Sequence, residues 1–96
     1  MTLEIITPES RIFEGEADAV RLPGKDGLFQ ILNGHAPMIS TLRAGEVKID
    51  IPTSSKTIDG LHGTIETDKS NDKVLRMQVK GGVVEVQKDR VILLAD

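Results

Sequence analysis

The feature that most constrains this chain is an alternation of apolar and polar residues with a period of two. In Glu46–Ile51, charged and β-branched residues alternate strictly, and Leu75–Lys80 repeats the pattern. Such alternation is typical of a β-strand that buries one face and exposes the other. No segment has the period of a four-turn amphipathic helix. The sequence therefore predicts an all-β chain of short strands.

Turn residues separate these alternating segments at short intervals. Pro23–Gly27 contains an Asp-Gly pair, which supplies the positive φ that tight hairpins require. Further turn signals are Ala44-Gly45, Gly81-Gly82 and Lys88-Asp89. About eight to ten strands at this spacing predict a small antiparallel β-sandwich or flattened barrel. Val91–Leu94 lacks polar residues, so we expect this strand to lie centrally and to be covered on both faces.

The segment Thr53–Lys73 breaks the pattern. It is rich in Ser, Gly and Asn, and its apolar residues are sparse. This composition is typical of a long surface hairpin with a mobile tip. The functional alternative is a dedicated contact arm, because long ordered loops often carry function.

Composition excludes several functional classes. The chain has 96 residues, which suffices for a single domain spanning residues 1–96. Because it contains no Cys, it cannot form a disulfide framework, a thiolate zinc site or a thiol nucleophile. A net charge of −3, with two Phe and no Trp or Tyr, argues against nucleic-acid binding. The chain lacks a membrane-spanning apolar run and a signal-peptide pattern, so we expect a soluble, cytoplasmic protein.

The sequence offers little support for a catalytic, metal or cofactor site. The two histidines, His35 and His62, lie in different segments without further ligands at zinc-site spacing. Ser40 follows His35 closely, but no third group of a triad is evident. Gly24-Lys25 lacks the rest of a phosphate loop and is interpreted as part of a hairpin turn. The acidic residues Glu14–Asp18 are interpreted as a solvated strand edge rather than a calcium site.

The segment Leu28–Met38 is the part of the sequence whose residues are least explained by the need to form strands and turns. The segment begins with Leu28, Phe29 and Leu32, which are more apolar side chains than one face of a strand can bury in the core. A tight Asn-Gly-His-Ala-Pro link follows them. Exposure of some of these residues would indicate a protein partner. The alternative is that a second sheet buries both faces of the strand.

Several short motifs follow one another in an order that resembles a known family. They are Leu3–Glu9, Phe13–Gly15, Leu22–Gly27, Gly34–Pro37, Gly45, Lys80–Val86 and Val91–Asp96. Together they resemble the N-terminal β-sandwich domain of the epsilon subunit of F-type ATP synthase, whose mitochondrial counterpart is called delta. The resemblance covers nearly all of the chain except Thr53–Lys73, which is longer than the usual hairpin of the family and is interpreted as an insertion.

The resemblance implies a non-catalytic rotor subunit of the central stalk, which couples the gamma subunit to the c ring during ATP synthesis. It also implies a location on the cytoplasmic face of the bacterial inner membrane, within the synthase and without insertion of this chain into the bilayer. The isolated chain is expected to be monomeric, with no cofactor and no nucleic-acid partner.

The resemblance also implies two sets of contact residues. The set expected to meet the c ring is Lys25, Asp26, Gly27, Leu28 and Phe29. The set expected to meet the gamma subunit is Thr7, Asn33, Gly34, His35, Ala36, Pro37 and Ser40. The family often has an acidic residue where this chain has Leu28, so the c-ring contact is expected to be more apolar here. His35 is expected to hold its turn by hydrogen bonds, with or without a role in the interface.

The family usually continues into two antiparallel helices that can inhibit ATP hydrolysis and, in some members, bind ATP. This sequence has no such helices after Asp96, so we expect it to couple without inhibiting through them or sensing ATP. A free-standing β-sandwich adaptor or ligand-binding module is the competing hypothesis. A small hydrolase is disfavoured by the scarcity of His and the absence of Cys.

Overall fold

The computed structural model describes residues 1–58 and 61–96, and nearly all of these residues lie in short strands or in the turns between them. The strands are β1 Thr2–Ile6, β2 Arg11–Glu16, β3 Ala19–Gly24, β4 Gly27–Leu32, β5 Met38–Leu42, β6 Gly45–Asp50, β7 Ile65–Asp68, β8 Asn71–Val79, β9 Gly82–Gln87 and β10 Arg90–Ala95. Within the described ranges, the only helical element is the 3-10 turn Ser55–Thr57. The prediction of an all-β sandwich is confirmed.

The strands form one nearly closed, barrel-like sheet. Its order is β2-β1-β10-β9-β5-β3-β6-β8-β7, and β4 pairs with the other edge of β3. β1 pairs with β10 in parallel, while the remaining pairs are antiparallel. β3 pairs with β6 over Ala19–Arg21 and with β5 only at Gly24. Strand β3 therefore joins the two halves of the sandwich.

Alternate residues of the strands fill one hydrophobic core. Leu3 and Ile5 of β1 point inward together with Val91 and Leu93 of β10, and each is at most 1% exposed. Facing them are the fully buried residues of the other half, which include Val20, Leu22, Ile31, Val47, Ile49 and Leu75. Burying one such side chain contributes about 1.5–3 kcal/mol of transfer free energy. The alternation seen in the sequence is therefore the pattern that builds this core.

The last strand, β10, has the central position that the sequence predicted, but the prediction that both of its faces are covered is wrong. β10 lies between β1 and β9, as expected of a central strand. Its outer face is not covered, because Leu94 is 49% exposed and Ile92 is half-buried. The second half of the sandwich covers only the inner face, which carries Val91 and Leu93. Apolar residues on both faces of β10 thus leave an apolar outer surface.

Part of Thr53–Lys73 forms the predicted hairpin, made by β7 and the start of β8. The residues before it fold back onto β8: the Ser54 hydroxyl donates to Asp72 Oδ2 at 2.6 Å and accepts from the Lys56 backbone N–H. Ser55 is buried and its hydroxyl accepts from Thr67 Oγ1. The predicted mobile tip includes Asp59 and Gly60, which lie outside the described residues, and its mobility stays a prediction.

Two ion-pair groups cover outer strand surfaces. Glu4 is only 5% exposed, and its carboxylate lies between Arg11, at 2.9 Å, and Arg90, at 3.2 Å. A buried carboxylate requires such partners, because desolvation disfavours its charge. In the other half, Arg76 of β8 contacts Glu46 Oε1 at 2.7 Å and Asp68 Oδ1 at 2.8 Å. Hydrogen bonds from Ser70 and Arg76 lower the pKa of the Asp68 carboxyl to about 2 from its ordinary 3.8.

The lowered pKa predicts how Asp68 contributes to stability as pH changes. Because the folded-state pKa lies below the unfolded-state value, the contribution is complete above pH 3.8 and is lost as pH falls toward 2. The loss in stability caused by Asp68→Asn should therefore be larger at pH 6 than at pH 2, as measured by urea unfolding. Asp26→Asn, at an exposed turn position, is the control and should give little change at either pH. A pH-independent effect of Asp68→Asn would contradict this role.

Gly82 is the position in β9 where a side chain is least tolerated. Its φ is +146°, and a Cβ atom there would overlap the Leu94 carbonyl oxygen of the neighbouring strand. Gly82→Ala should lower the free energy of unfolding by about 2 kcal/mol or more, because backbone atoms must move to accept the methyl group. Gly63→Ala is the matched control, since a Cβ there meets nothing within 4 Å. Equal urea midpoints for the two variants would refute the prediction.

Candidate protein contact site

The hairpin between β3 and β4 is the first predicted contact element. Gly24 pairs with Gly27 across the loop Lys25-Asp26, and both loop residues are exposed. Gly27 has a φ of +135°, as the turn signal predicted. A Cβ at Gly24 would lie 2.7 Å from the Phe29 ring, so this glycine lets the ring fold across the hairpin. The backbone N–H of Lys25 donates to Thr41 of β5 at 3.1 Å, which fixes the hairpin against the neighbouring strand.

Leu28 and Phe29 point to opposite faces of β4. Leu28 is 63% exposed, whereas Phe29 is half-buried and packs against the core. The expectation that some apolar residues of this segment are exposed is confirmed for Leu28 and for Leu32, which is 54% exposed. The free apolar surface of the hairpin therefore belongs to Leu28 rather than to Phe29. Substituting Phe29 would disturb packing and contact together.

The link between β4 and β5, residues 33–37, is the second predicted element, and all of it is exposed. Gly34 has a φ of +82°, and the His35 backbone N–H donates to the Leu32 carbonyl at 3.1 Å. His35 Nδ1 lies 2.7 Å from the Ala36 carbonyl oxygen, which only accepts, so Nδ1 carries the hydrogen. The Asn33 side-chain oxygen accepts from the N-terminal amine at 2.7 Å. Hydrogen bonds within the loop, together with the bond from the N-terminal amine to Asn33, thus fix the shape of this loop.

The fold brings most of the predicted contact residues to one cleft. The cleft has a volume of about 620 Å³ and is open to solvent. Residues 24–30 of the hairpin form one wall, and His35 with residues 38–41 of β5 forms the other. Both predicted contact sets, apart from Thr7, therefore border this cleft or lie on the loop beside it.

Thr7 lies apart from the other residues of its predicted set. It is in the turn between β1 and β2, where its backbone N–H donates to the Ser10 carbonyl at 2.9 Å. Around it is a separate, mostly apolar depression of about 330 Å³, which Val83 and Leu94 also line. The gamma set is thus divided between two places on the surface. In the sheet order, β9 and β10 run between β5, which lines the cleft, and β1, which leads to Thr7.

Sequence reasoning missed an apolar surface on the outer face of this part of the sheet. Ile39 is 70% exposed, Leu94 is 49% exposed and Val83 is 37% exposed. The register pairs Val83 with Thr41 on one side and with Leu94 on the other. These residues therefore lie on neighbouring strands between the cleft and the Thr7 turn. The apolar residues on both faces of β10 were the available signal, but they were interpreted as a sign of burial.

The geometry gives no support to a catalytic interpretation of His35 and Ser40. Both line the cleft, but the His35 ring bonds to the Ala36 carbonyl, and the Ser40 hydroxyl is directed to the Thr41 carbonyl at 3.5 Å. Within residues 1–58 and 61–96, no three His, Asp or Glu side chains are grouped so that they could hold a metal ion. Among the described helices, none has the length and apolar character needed to cross a membrane.

Comparison with known proteins agrees with the family resemblance. The family described as ATP synthase, delta/epsilon chain, beta-sandwich domain matches residues 1–59. The ATP synthase epsilon chain of Chlorobium limicola is 37% identical over 98% of this chain and 86% of its own length. That of Chlorobaculum tepidum is 36% identical over 99% of this chain and 88% of its own. The epsilon chain of Campylobacter fetus is also 36% identical, and the match spans 59% of its length.

Solved structures agree at the level of the fold. A chain in the central stalk and c-ring structure of the Tetrahymena thermophila mitochondrial ATP synthase superposes with a TM-score of 0.71 at 14% identity, covering 98% of this chain and 61% of that one. A chain of the Euglena gracilis mitochondrial ATP synthase gives 0.69 at 16% identity, with coverages of 97% and 48%. With the family matching residues 1–59 and epsilon chains aligning along almost the whole sequence, this chain belongs to the ATP synthase delta/epsilon chain family.

Proposed function

We propose that this chain is a non-catalytic central-stalk subunit of a proton-translocating F-type ATP synthase, in which it couples the gamma subunit to the c ring. Membership of the family supports the assembly, since its relatives are ATP synthase epsilon chains. The proposal places the chain at the cytoplasmic face of the bacterial inner membrane as a peripheral component. The chain alone is proposed to be monomeric.

One structural observation supports this function above the others. Two exposed elements, the hairpin at residues 24–29 and the link at residues 33–37, border one cleft on a sandwich with a single packed core. Well-packed interiors are weakly compressible and transmit strain. A load applied at one element would therefore reach the other with little deformation of the domain between them.

The two elements differ in the contacts they offer. The hairpin presents Lys25, Asp26 and Leu28 to solvent, and we assign this surface to the c ring. The link presents His35 on a loop whose shape is fixed by hydrogen bonds, and we assign it to the gamma subunit together with Ser40. For Thr7 to belong to the gamma contact as well, that contact must extend across the apolar outer surface that includes Val83 and Leu94. The proposed gamma interface is therefore wider than the link at residues 33–37 alone.

The variant Leu28→Lys tests both the function and the assignment of the hairpin. From detergent-solubilised membranes, the tagged parent chain should recover the gamma subunit and the c ring. Leu28→Lys should recover gamma unchanged and about fivefold less c ring, because a charge placed in an apolar contact costs about 1 kcal/mol or more. The side chain is largely exposed, so the free energy of unfolding should change by less than about 0.5 kcal/mol.

Gln78→Lys, at an exposed position of β8, is the matched control and should behave as the parent chain. Proton-driven ATP synthesis in reconstituted vesicles should fall for Leu28→Lys and stay at the parent rate for Gln78→Lys. Recovery of neither gamma nor the c ring by the parent chain would refute the proposed function and favour a free-standing adaptor. Normal c-ring recovery by a folded Leu28→Lys variant would refute the assignment of the hairpin alone.

The expectation about inhibition stays a prediction. Added to an ATP synthase from which the epsilon subunit has been removed, the 96-residue chain should restore coupling without strongly inhibiting ATP hydrolysis at any ATP concentration. The physical reason is that the described strands and the 3-10 turn offer no helical pair that could extend along gamma. Inhibition that varies with ATP concentration would contradict this expectation.

A further inference from the structure

The outer face of β5, β9 and β10 carries one acidic residue among apolar ones. Alternate residues of β9 are buried in the core, so Val83 and Glu85 point outward. The register places Glu85 between Ile39 of β5 and Ile92 of β10, and it places Val83 beside Leu94 of β10. Ile39, Val83 and Leu94 are exposed, whereas Glu85 and Ile92 are half-buried. These five residues are called the outer patch below.

The Glu85 carboxylate has no cation beside it. Its Oε1 accepts a hydrogen bond from Gln87 Nε2 at 2.6 Å, and none of the ion pairs among the described residues includes Glu85. Arg90, which pairs with Gln87 in the register, contacts Glu4 instead, at 3.2 Å. Covering a carboxylate that has no cationic partner costs free energy, because the charge loses its hydration. A molecule that covers the outer patch must therefore bring a cation to Glu85.

Glu4 shows how this chain treats a carboxylate that it covers itself. Glu4 and Glu85 lie on either side of Ile92, in one row across β1, β10 and β9. Glu4 is only 5% exposed, and two guanidinium groups contact it, from Arg11 at 2.9 Å and from Arg90 at 3.2 Å. Glu85 lies open to solvent on the same row without such a contact. The cation that completes the outer patch therefore has to come from another molecule.

The surface around Glu85 has room for apolar side chains on both sides. A depression of about 420 Å³ is bordered by Pro37, Ile39 and Glu85. The depression of about 330 Å³ described above is bordered by Val83 and Leu94. Exposed apolar surface of this kind marks a contact with another protein. A cation at Glu85 would lie between two apolar contacts.

We propose that the outer patch binds a protein segment in which a Lys or Arg side chain is flanked by apolar residues, and that Glu85 selects this segment by pairing with its cation. The apolar residues of the patch supply contact area, and the charge pair supplies specificity. A second copy of this chain fits less well, because contact through the same patch would bring two Glu85 carboxylates together. A bilayer surface with anionic lipids is disfavoured by the same repulsion.

The inference rests on the proposed function for the assembly that carries the segment, whereas the chemistry of the segment follows from the patch itself. The test therefore uses an ATP synthase complex from which this chain has been removed. Glu85→Gln keeps the shape of the side chain and its contact with Gln87, so the urea midpoint should stay close to that of the parent. Its affinity for the complex should fall at least about tenfold, and that of Glu85→Lys at least about a hundredfold.

The control is Glu66→Lys, which makes the same charge change at an exposed position of β7. It should bind within about twofold of the parent, as expected of a surface substitution outside an interface. Raising the ionic strength should weaken binding of the parent more than binding of Glu85→Gln, because salt screens the charge pair. Parent-like affinity and salt dependence of a folded Glu85→Gln variant would overturn the inference while leaving the proposed function intact.

A photoreactive residue at position 41 identifies the segment directly. Thr41 is exposed and pairs with Val83, so its side chain borders the outer patch. The crosslinked peptide, identified by mass spectrometry, should carry a Lys or Arg beside apolar residues. Replacing that cation by Glu should weaken binding of the parent chain and restore part of the binding of Glu85→Lys. A crosslinked segment without a basic residue would overturn the inference.

Three further outcomes would also contradict it. Self-association of the chain that Glu85→Gln strengthens, measured by sedimentation equilibrium, would assign the patch to a second copy. Binding to phosphatidylglycerol vesicles that the same substitution strengthens would assign it to a bilayer surface. Failure of the parent chain to bind the depleted complex would refute the proposed function, and this inference with it.

Discussion

The pairing of β3 is the constraint on which the rest of the structure depends. One edge of this strand pairs with β4 along its whole length, whereas the other edge pairs first with β6 and then, at Gly24, with β5. Because β3 leaves one neighbour and joins another, it connects the two halves of the sandwich. Among the described residues, β4 pairs with β3 alone and β5 meets β3 only where Leu42 pairs with Gly24, and residues of both strands line the cleft. The hairpin, the loop after it and the cleft are consequences of this one arrangement.

The hairpin and the following loop are held by glycines and specific hydrogen bonds in addition to the packing of Phe29 against the core. The hairpin depends on Gly24, which makes room for the Phe29 ring, and on the bond from Lys25 to Thr41. The following loop depends on Gly34 and on the bonds of His35 to Leu32 and Ala36. Short loops with few alternative conformations lose little entropy on binding. This property suits elements that are proposed to transmit force between two partners.

Much of the fold could be predicted because its signals are local. Alternation identified the strands, and Asp-Gly and Gly-Gly pairs located their turns. The order of short motifs was sufficient to recognise the family. Burial was less predictable, since Leu94 and Leu28 are as apolar as their buried neighbours, and only their partners across the sandwich decide which of them are covered. The burial of Glu4 between Arg11 and Arg90, on strands distant in sequence, gave no local signal.

The candidate contact site, like the fold, could be predicted from the sequence only in part. The sequence alone determined which residues form the hairpin and the link, because turn conformation depends on a few neighbouring residues. Only the tertiary structure decided that these two elements border one cleft, that Thr7 lies elsewhere, and that Leu28 rather than Phe29 is free. It also decided which strand edges remain unpaired, since strand pairing joins residues far apart in the chain. Alternation specifies the faces of a strand, but it carries no information about the neighbour at its edge.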